Sequence, residues 1–413
     1  MKEPIQAVIL CGGRGKRLSP YTDFLPKPMI NCNDKPFLWY ILDQLSLLGI
    51  KEFVILTGYL ADVIENYFSD GAKFGWNIKY HRGPETWDTG RRIWEARYLY
   101  HKNFLLMYSD NIVPFPLKKM LKIHKKNNSS ITLMVSKKLP GNIEIDANLF
   151  AKKYDNNRSN PKLNYVEIGY MIVNKDRTLY HYEKPDCNFS SIIKKMVNLS
   201  EISAYIQQDK YHSISDPERW KKTKEYLRNK KIIFIDRDGI INVKANPGEY
   251  IESWAKFIFI EDTLTALKDL SEKGFKFIVI SNQAGINRGM ISLNNVNTIH
   301  KNLINELKSK GIEILDIFFC PHHWDEGCSC RKPKAGMFID ASTKWNIRLD
   351  KSVFIGDDIR DCEAAYNAGS ASIFIGNSIE LDTLMKNGIS LPLIVSNKLT
   401  DCVDEIQNFY AKQ

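Results

Sequence analysis

Short apolar runs alternate along this chain with longer stretches in which apolar residues recur every three or four positions. The runs Ala7–Leu10, Phe53–Thr57, Phe104–Tyr108 and Ile131–Val135 have strand length and strand-forming residues, and read as buried strands. From about Pro36 to Leu48 the apolar positions repeat at helical spacing and stop at Gly49, which predicts a helix. The pattern then begins afresh. Ile232–Ile235, Phe277–Ile280, Ile314–Phe319 and Val353–Ile355 are again strand-like. Between the first two of these, Leu264, Leu267 and Leu270 share a helix face, with Asp262 expected as the N-cap and Gly274 past the end. Such alternation predicts parallel α/β sheets in both halves.

The polar, helix-prone segment DPERWKKTKEYLRNK (216–230) separates the two series and reads as the last helix of the first, so domains are expected at 1–230 and 231–413. A length of 413 residues agrees with two cores rather than one. With 44% hydrophobic and 26% charged residues, the composition is that of an ordinary globular protein. No apolar run approaches the length of a membrane span. The opening MKEPIQAVILCGG runs directly into a strand and a glycine loop, not a secretory leader, so a cytoplasmic protein with reduced thiols is expected. The net charge of +10 is spread along the whole chain and gathers into no arm or stripe. That distribution points to small anionic substrates and away from nucleic acid or membrane; it leaves the oligomeric state open.

After the first strand comes LCGGRGKRLSPYTDFLPKPMI (10–30). Gly12, Gly13 and Gly15 lack Cβ atoms, so the backbone there can approach a phosphate and aim its N–H groups at it. Arg14, Lys16, Arg17 and Lys27 supply cations for a polyphosphate. Through Gly12, Gly13, Gly15, Arg17, Leu18, Pro20, Thr22, Pro26, Lys27 and Pro28 the segment resembles the signature of sugar-1-phosphate nucleotidyltransferases. The resemblance implies a Rossmann-like fold in which a sugar phosphate attacks the α-phosphorus of a nucleoside triphosphate. Arg17 and Lys27 would stabilise the transferring phosphoryl group, without a covalent protein intermediate. Asp110, at a strand end, is the expected Mg²⁺ ligand, with Ser109 where the family usually has glycine. Thr89 and Gly90 in PETWDTG, and Glu167 in NYVEIGY, are the expected contacts to nucleotide and sugar. Where many members have a second metal-binding Asp, this chain has Ser213, with Asp216 three residues on; the ligand is either missing or moved.

In the second half, IIFIDRDGIIN (232–242) ends a strand in two acids that can converge on one cation because the chain turns there. Asp236 reads as a nucleophile and Asp238 as an acid/base. With Ser281 and Asn282 ending the next strand, Lys332 in CRKPKAGM, and Asp357 in VFIGDDIRDCEAA, the order resembles the four motifs of haloacid dehalogenase-like phosphatases. That implies a Rossmannoid fold and an aspartyl-phosphate intermediate on Asp236. Mg²⁺ would be held by Asp236, Asp357 and the backbone carbonyl of Asp238.

Three of the eight cysteines fall in CPHHWDEGCSCRKP. In a reducing compartment, Cys320, His322, Cys328 and Cys330 form a closed tetrahedral set for a structural Zn²⁺, with His323 the alternative to His322. The zinc loop stands where a cap domain would otherwise be, and positions Arg331 and Lys332 at the phosphates. The loop narrows the resemblance to phosphatases of D-glycero-D-manno-heptose 1,7-bisphosphate, with NPGEYIES (246–253) at a substrate-facing position.

The expected function is therefore bifunctional. The phosphatase removes the 7-phosphate, and the nucleotidyltransferase converts heptose 1-phosphate to a nucleotide-heptose and pyrophosphate. GTP is the nucleotide the resemblance implies, because the ADP-heptose route uses a transferase with a His-x-Gly-His motif that this sequence lacks. Two other readings share these residues. One joins a transferase for a different sugar 1-phosphate to a histidinol-phosphate-type phosphatase; the other makes the first domain a non-catalytic module that regulates the second.

Overall fold

The structure, a computed structural model, describes residues 5–246, 248–376 and 382–412. Pro247, within the expected substrate-facing loop, lies outside the described residues. The chain divides into two compact units, Met1–Arg228 and Asn229–Gln413.

The first unit is built on a nine-stranded sheet. Its parallel centre runs Asn77–Arg82, Glu52–Thr57, Gln6–Cys11, Asn103–Tyr108. Alternation along these strands feeds two cores. Ile9, Ile55 and Met107 pack on one face with the helix Phe37–Leu47. Val8, Val54 and Leu106 pack on the other with the helix Phe189–Asn198.

The parallel sheet expected here forms at its centre, with antiparallel strands joined to it. Ile131–Lys137 is a strand, but it does not continue the parallel series. The ten-residue strand Tyr165–Asn174 lies between it and Asn103–Tyr108, antiparallel to both. Apolar runs report burial on both faces and carry no information about which neighbour a strand takes or in which direction. The helix expected within 216–230 forms as Pro217–Leu227, with Asp216 as its N-cap.

The second unit is a wholly parallel six-stranded sheet, ordered Ile314–Cys320, Lys276–Asn282, Ile232–Ile235, Val353–Gly356, Ala371–Ile375, Ile394–Ser396. The first strand in sequence is central, so the winding reverses beside it, and residues just past its carboxyl end stand in the crevice where α/β sheets bind ligands. Asp262 departs from expectation. The helix spans Glu261–Glu272 with Ile260 at its N-cap, so Asp262 lies within the first turn. Its carboxylate instead accepts hydrogen bonds from the Leu399 N–H at 2.7 Å and the Thr400 hydroxyl at 2.6 Å. It thus fastens a distant 3-10 turn rather than its own helix.

One buried network of the first unit makes stability depend on pH. His124 Nδ1 lies 2.9 Å from the Thr132 hydroxyl, itself 2.8 Å from Ser203 Oγ. Burial pushes the imidazole down to about 4, and the Arg177 charge adds to this. The folded unit therefore prefers neutral His124. The stability this confers is present above the unfolded pKa near 6.5 and is lost as pH falls towards 4. Denaturant midpoints of wild type and His124→Gln should converge as pH drops from 7 to about 4. Parallel curves would show that His124 is not the titrating group.

Candidate active sites

In the first unit, parallel register brings the ends of Gln6–Cys11, Glu52–Thr57 and Asn103–Tyr108 to one edge of the sheet. The pocket there is lined by the glycine loop (Gly12, Gly13, Gly15), by Lys27, Trp87, Asp88 and Thr89, and by Ser109 and Asp110. Two of the glycines are there of necessity. A Cβ on Gly12 would lie 2.3 Å from the Arg92 guanidinium carbon, and Gly15 has φ 68° with its Cβ position 2.7 Å from Lys27 Cβ. The Thr22 hydroxyl donates to Gly15 O at 3.2 Å, and Ser109 donates to Leu10 O at 2.6 Å, so Thr22 of the signature and Ser109 beside Asp110 fix the loop.

The chemical centre of this pocket is the Lys27 ammonium, 2.7 Å from the Asp110 carboxylate. Arg14 pairs with Glu85 across the pocket mouth and lies 5.0 Å over the Tyr59 ring. Lys16 and Arg17 occupy the exposed turn Lys16–Leu18 and do not line the pocket. Thr89 lines it and also accepts the Phe189 N–H at 3.1 Å. Gly90 does not; it is buried, and a Cβ there would lie 2.4 Å from Cys187 O, so its glycine serves packing. Half-buried Glu167 accepts the Gly169 N–H at 3.1 Å. Burial pushes its carboxyl up to about 6, opposed by that hydrogen bond and reinforced by the charge of Asp110. Ser213 is buried and pairs with Asn111 beside Asp110, whereas the Asp216 carboxylate accepts the Arg219 N–H at 2.9 Å as a helix cap. The acid three residues along is thus committed elsewhere.

The second unit gathers its charges around Lys332. This side chain is 3% exposed, and its ammonium lies 2.9 Å from Asp236 and 2.8 Å from Asp361. Asn282 holds the Lys332 backbone from both sides, accepting its N–H at 3.0 Å and donating to its carbonyl at 3.2 Å. Burial pushes the Asp236 carboxyl up, with Lys332 opposing. For Asp238 the balance goes the other way. Burial raises it, but Arg237 at 2.8 Å, Asn242 at 2.9 Å and Gln283 at 2.9 Å outweigh burial and hold it below the usual carboxylate range. Ser281, Asn282 and Arg331 line the same pocket. Carboxylate oxygens of Asp236, Asp357 and Asp361 lie within 4.8 Å of one another, and Asp357 Oδ1 is buried without a hydrogen-bond partner. A buried anionic oxygen left unpaired is the environment a cation fills.

Cys320, His322, Cys328 and Cys330 come together as a second cluster. The Cys320 sulfur is 3.7 Å from Cys328 and 3.3 Å from Cys330, and His322 Nδ1 is 3.2 Å from the Cys330 sulfur. Tetrahedral zinc with Zn–S bonds of about 2.3 Å sets ligand sulfurs about 3.8 Å apart. All eight cysteines are free thiols, and these spacings far exceed the roughly 2.05 Å of a disulfide. His323 turns away, its Nδ1 2.6 Å from Asp325.

Against known proteins, a nucleotidyl transferase family model matches residues 6–215, and a polynucleotide kinase 3 phosphatase model matches 231–370. A Photorhabdus laumondii D-glycero-alpha-D-manno-heptose-1,7-bisphosphate 7-phosphatase is 37% identical over 152 residues, 35% of this chain and 81% of that protein. A D-glycero-beta-D-manno-heptose-1,7-bisphosphate 7-phosphatase of Bordetella bronchiseptica is 31% identical over 159 residues, 38% of this chain and 88% of that protein. The chain belongs to both the transferase and the phosphatase families. Among solved structures, HddC from Yersinia pseudotuberculosis is 19% identical, covering 54% of this chain and all of its own, with a TM-score of 0.47.

Both units of this transferase–phosphatase contain an important residue that sequence reading passes over. In the transferase unit, Arg92 is 4% exposed and donates to the carbonyls of Thr57 at 2.8 Å and Pro84 at 2.5 Å, tying two pocket loops together. Nothing in GRRIW distinguishes it from an exposed arginine. In the phosphatase unit, Asp361 accepts the N–H groups of Asp357 and Asp358, each at 3.2 Å, while holding Lys332. The Asp-x-x-Asp spacing of a capping box, from Asp358 to Asp361, was its available signal. Asp361→Asn should destabilise the phosphatase unit by about 3 kcal/mol, because it breaks a buried ion pair on one side. Hydrogen exchange at Ile232–Ile235 under increasing denaturant measures this. Unchanged protection would mean that Asp361 does not support Lys332.

Proposed function

We propose that this chain removes the 7-phosphate of D-glycero-D-manno-heptose 1,7-bisphosphate and then couples the resulting heptose 1-phosphate to a nucleotide from GTP, giving GDP-heptose. One observation carries the reading. The phosphatase relatives are named for heptose 1,7-bisphosphate, and their reaction leaves a sugar 1-phosphate, the substrate class of the transferase that precedes them in this chain. The choice of GTP rests on the glycine-loop signature and on the absence of a His-x-Gly-His motif. Catalysis is assigned to 1–230 for transfer and 231–413 for hydrolysis, in the cytoplasm, where the thiol cluster stays reduced.

In the transferase, a phosphate oxygen of heptose 1-phosphate attacks the α-phosphorus of GTP. The bond from that phosphorus to the β-bridging oxygen breaks, and pyrophosphate leaves with the bond's electrons. Gly12, Gly13 and Gly15 present the backbone to the triphosphate, and Lys16 and Arg17, on the exposed turn just outside the pocket, are assigned to oxygens that reach its mouth. Lys27 stabilises charge on the transferring phosphoryl group. Thr89 and Glu167 are assigned to the nucleotide and sugar. Asp110 would hold Mg²⁺, which neutralises the phosphates.

In the phosphatase, a carboxylate oxygen of Asp236 attacks the phosphorus of the 7-phosphate, and the bond to the sugar oxygen breaks. Asp238, ionised in the free site, relays to that oxygen a proton carried in by the phosphate monoanion. Water then attacks the phosphorus, the bond to Asp236 breaks, and the water's proton passes through Asp238 as inorganic phosphate leaves. Ser281, Asn282, Arg331 and Lys332 bind the phosphoryl oxygens or fix the groups that do. Asp236, Asp357 and the Asp238 carbonyl would hold Mg²⁺, and the unpartnered Asp357 oxygen fits that assignment. The three thiols and one imidazole suit Zn²⁺ in a closed structural site.

The experiment that tests this reading follows phosphate and pyrophosphate separately. Asp236→Asn should abolish phosphate release from the bisphosphate yet leave pyrophosphate release from heptose 1-phosphate and GTP within about twofold. Lys27→Ala should do the reverse, lowering transfer on the order of 100-fold or more. Loss of both activities in either folded variant would refute two independent centres, and pyrophosphate release with another nucleotide alone would refute the GTP assignment.

Zinc is tested on its own. Native mass spectrometry should find about one zinc per chain, and Cys328→Ser should lose it together with most phosphatase activity but little transferase activity. A zinc-free wild type with full phosphatase activity would eliminate the structural-metal assignment.

A further inference from the structure

The phosphatase pocket holds one cation that none of the family motifs accounts for. Lys244 lines it from the irregular segment after the first motif, with its ammonium 2.5 Å from Asp357 Oδ2. The other cations near the aspartates are differently placed. Arg237 and Lys332 are 1% and 3% exposed, fixed by Asp238 and by Asp236 with Asp361. Arg360 is spent on its helix neighbour Asp358. The Lys244 side chain is 47% exposed, so no packing confines it as packing confines Arg237 and Lys332, and its partner is the carboxylate assigned to Mg²⁺.

The meeting of these two groups is built into the backbone. Gly239 has φ 94°, and a Cβ there would lie 2.1 Å from Asp357 Oδ2 and 2.8 Å from Lys244 Cε. A side chain at this position would separate them. Lys244 holds Oδ2 while Oδ1 of the same carboxylate is the buried oxygen without a partner, so a divalent cation entering at Oδ1 would stand close to the ammonium across one carboxylate. Their repulsion in a partly buried pocket weakens the Lys244 contact, and entry of the metal therefore loosens Lys244. The loosened ammonium then faces a pocket lined by phosphate-binding groups such as Ser281 and Arg331.

We propose that Lys244 is an exchangeable counter-cation: it neutralises Asp357 before the metal binds, then moves to the phosphoryl group, so that metal and phosphate bind cooperatively. Lys244 is on this account a positioning residue, displaced by one ligand and recruited by the next. The proposal rests on the assignment of Mg²⁺ to Asp236 and Asp357. Its consequence is reciprocal, since whatever phosphate does for Mg²⁺ affinity, Mg²⁺ does for phosphate affinity.

Calorimetric titration of the full-length protein with MgCl₂, with and without inorganic phosphate, tests the proposal. The heat absent from Asp357→Asn identifies this site against the one in the transferase unit. In Lys244→Met and Lys244→Gln, Mg²⁺ without phosphate should bind about tenfold tighter than in wild type, and phosphate should no longer strengthen it. The KM for the sugar bisphosphate should rise about tenfold at saturating Mg²⁺ with a smaller change in kcat, and Lys244→Arg should restore both. A merely structural salt bridge predicts the opposite sign, with weaker Mg²⁺ binding once it is lost. Equal or weaker Mg²⁺ binding by both neutral variants, or undiminished strengthening by phosphate, overturns the exchange. Absence of any Asp357-dependent Mg²⁺ heat in wild type overturns the metal assignment itself, and the exchange with it.

Discussion

Carboxylates collected at the ends of parallel strands repel one another, and they remain there only because lysines are brought in to meet them. In the phosphatase unit the cation is Lys332, its ammonium shared by Asp236 and Asp361 at the end of a sheet whose strands all run one way. In the transferase unit it is Lys27, paired with Asp110. Each pairing needs its loop in one place, and the surroundings are arranged to ensure this. Asn282 clamps the backbone of Lys332 from both sides, and the Cys/His cluster is joined to it through Arg331. Gly15 leaves room for Lys27 against the phosphate loop. Single-sided loss of a buried pair costs far more than its formation gains, so these contacts constrain the fold as well as the chemistry.

What could be read from the sequence follows a physical division. Strands and helices whose burial repeats with a clear period were legible to within a residue or two, as with Ile232–Ile235 and the helix Phe37–Leu47. Groups at or just past the ends of such strands, among them Gly12, Asp110, Asp236 and Asp357, could be picked out because they fall in motifs that follow one another in order; a lone acid at a strand end is as readily a turn or a cap. Strand direction was not legible. The insertion of Tyr165–Asn174 into the transferase sheet is decided by tertiary pairing that leaves no periodic trace. The roles of Arg92, Gly90 and Asp262 were hidden for a related reason. Each acts on a partner far away in sequence: Thr57, Cys187 and Leu399 respectively. Local pattern assigns such residues to the nearest element, which for Asp262 was the wrong one.

The two kinds of metal chemistry proposed for the phosphatase unit are kept apart by their donors. Three thiols and an imidazole offer soft ligands in a closed set, and once they are used no position remains for water or substrate. The aspartate site offers hard oxygens, one of them buried without a partner, beside a pocket lined by Asp236 and Asp361. Exchange of metals between them is disfavoured from both sides, since Mg²⁺ binds thiolate poorly and a zinc ion among the aspartates would lack the ligands it prefers. The first cluster can therefore hold the loop carrying Lys332 while the second gains and loses its ion.

The order of the two proposed reactions has a thermodynamic logic of its own. Nucleotidyl transfer breaks one phosphoanhydride and makes another, so it runs readily in both directions. Hydrolysis of a phosphomonoester in water does not reverse to any useful extent. Removal of the 7-phosphate is therefore the committing step, and it delivers heptose 1-phosphate to a reversible reaction whose direction depends on the supply of that substrate and the removal of pyrophosphate. A single chain fixes the two activities in equal amount. An excess of transferase alone would leave the reversible step free to run backwards on any nucleotide-sugar present. With the committing enzyme always at the same concentration, each transferase site is matched by a source of its own substrate.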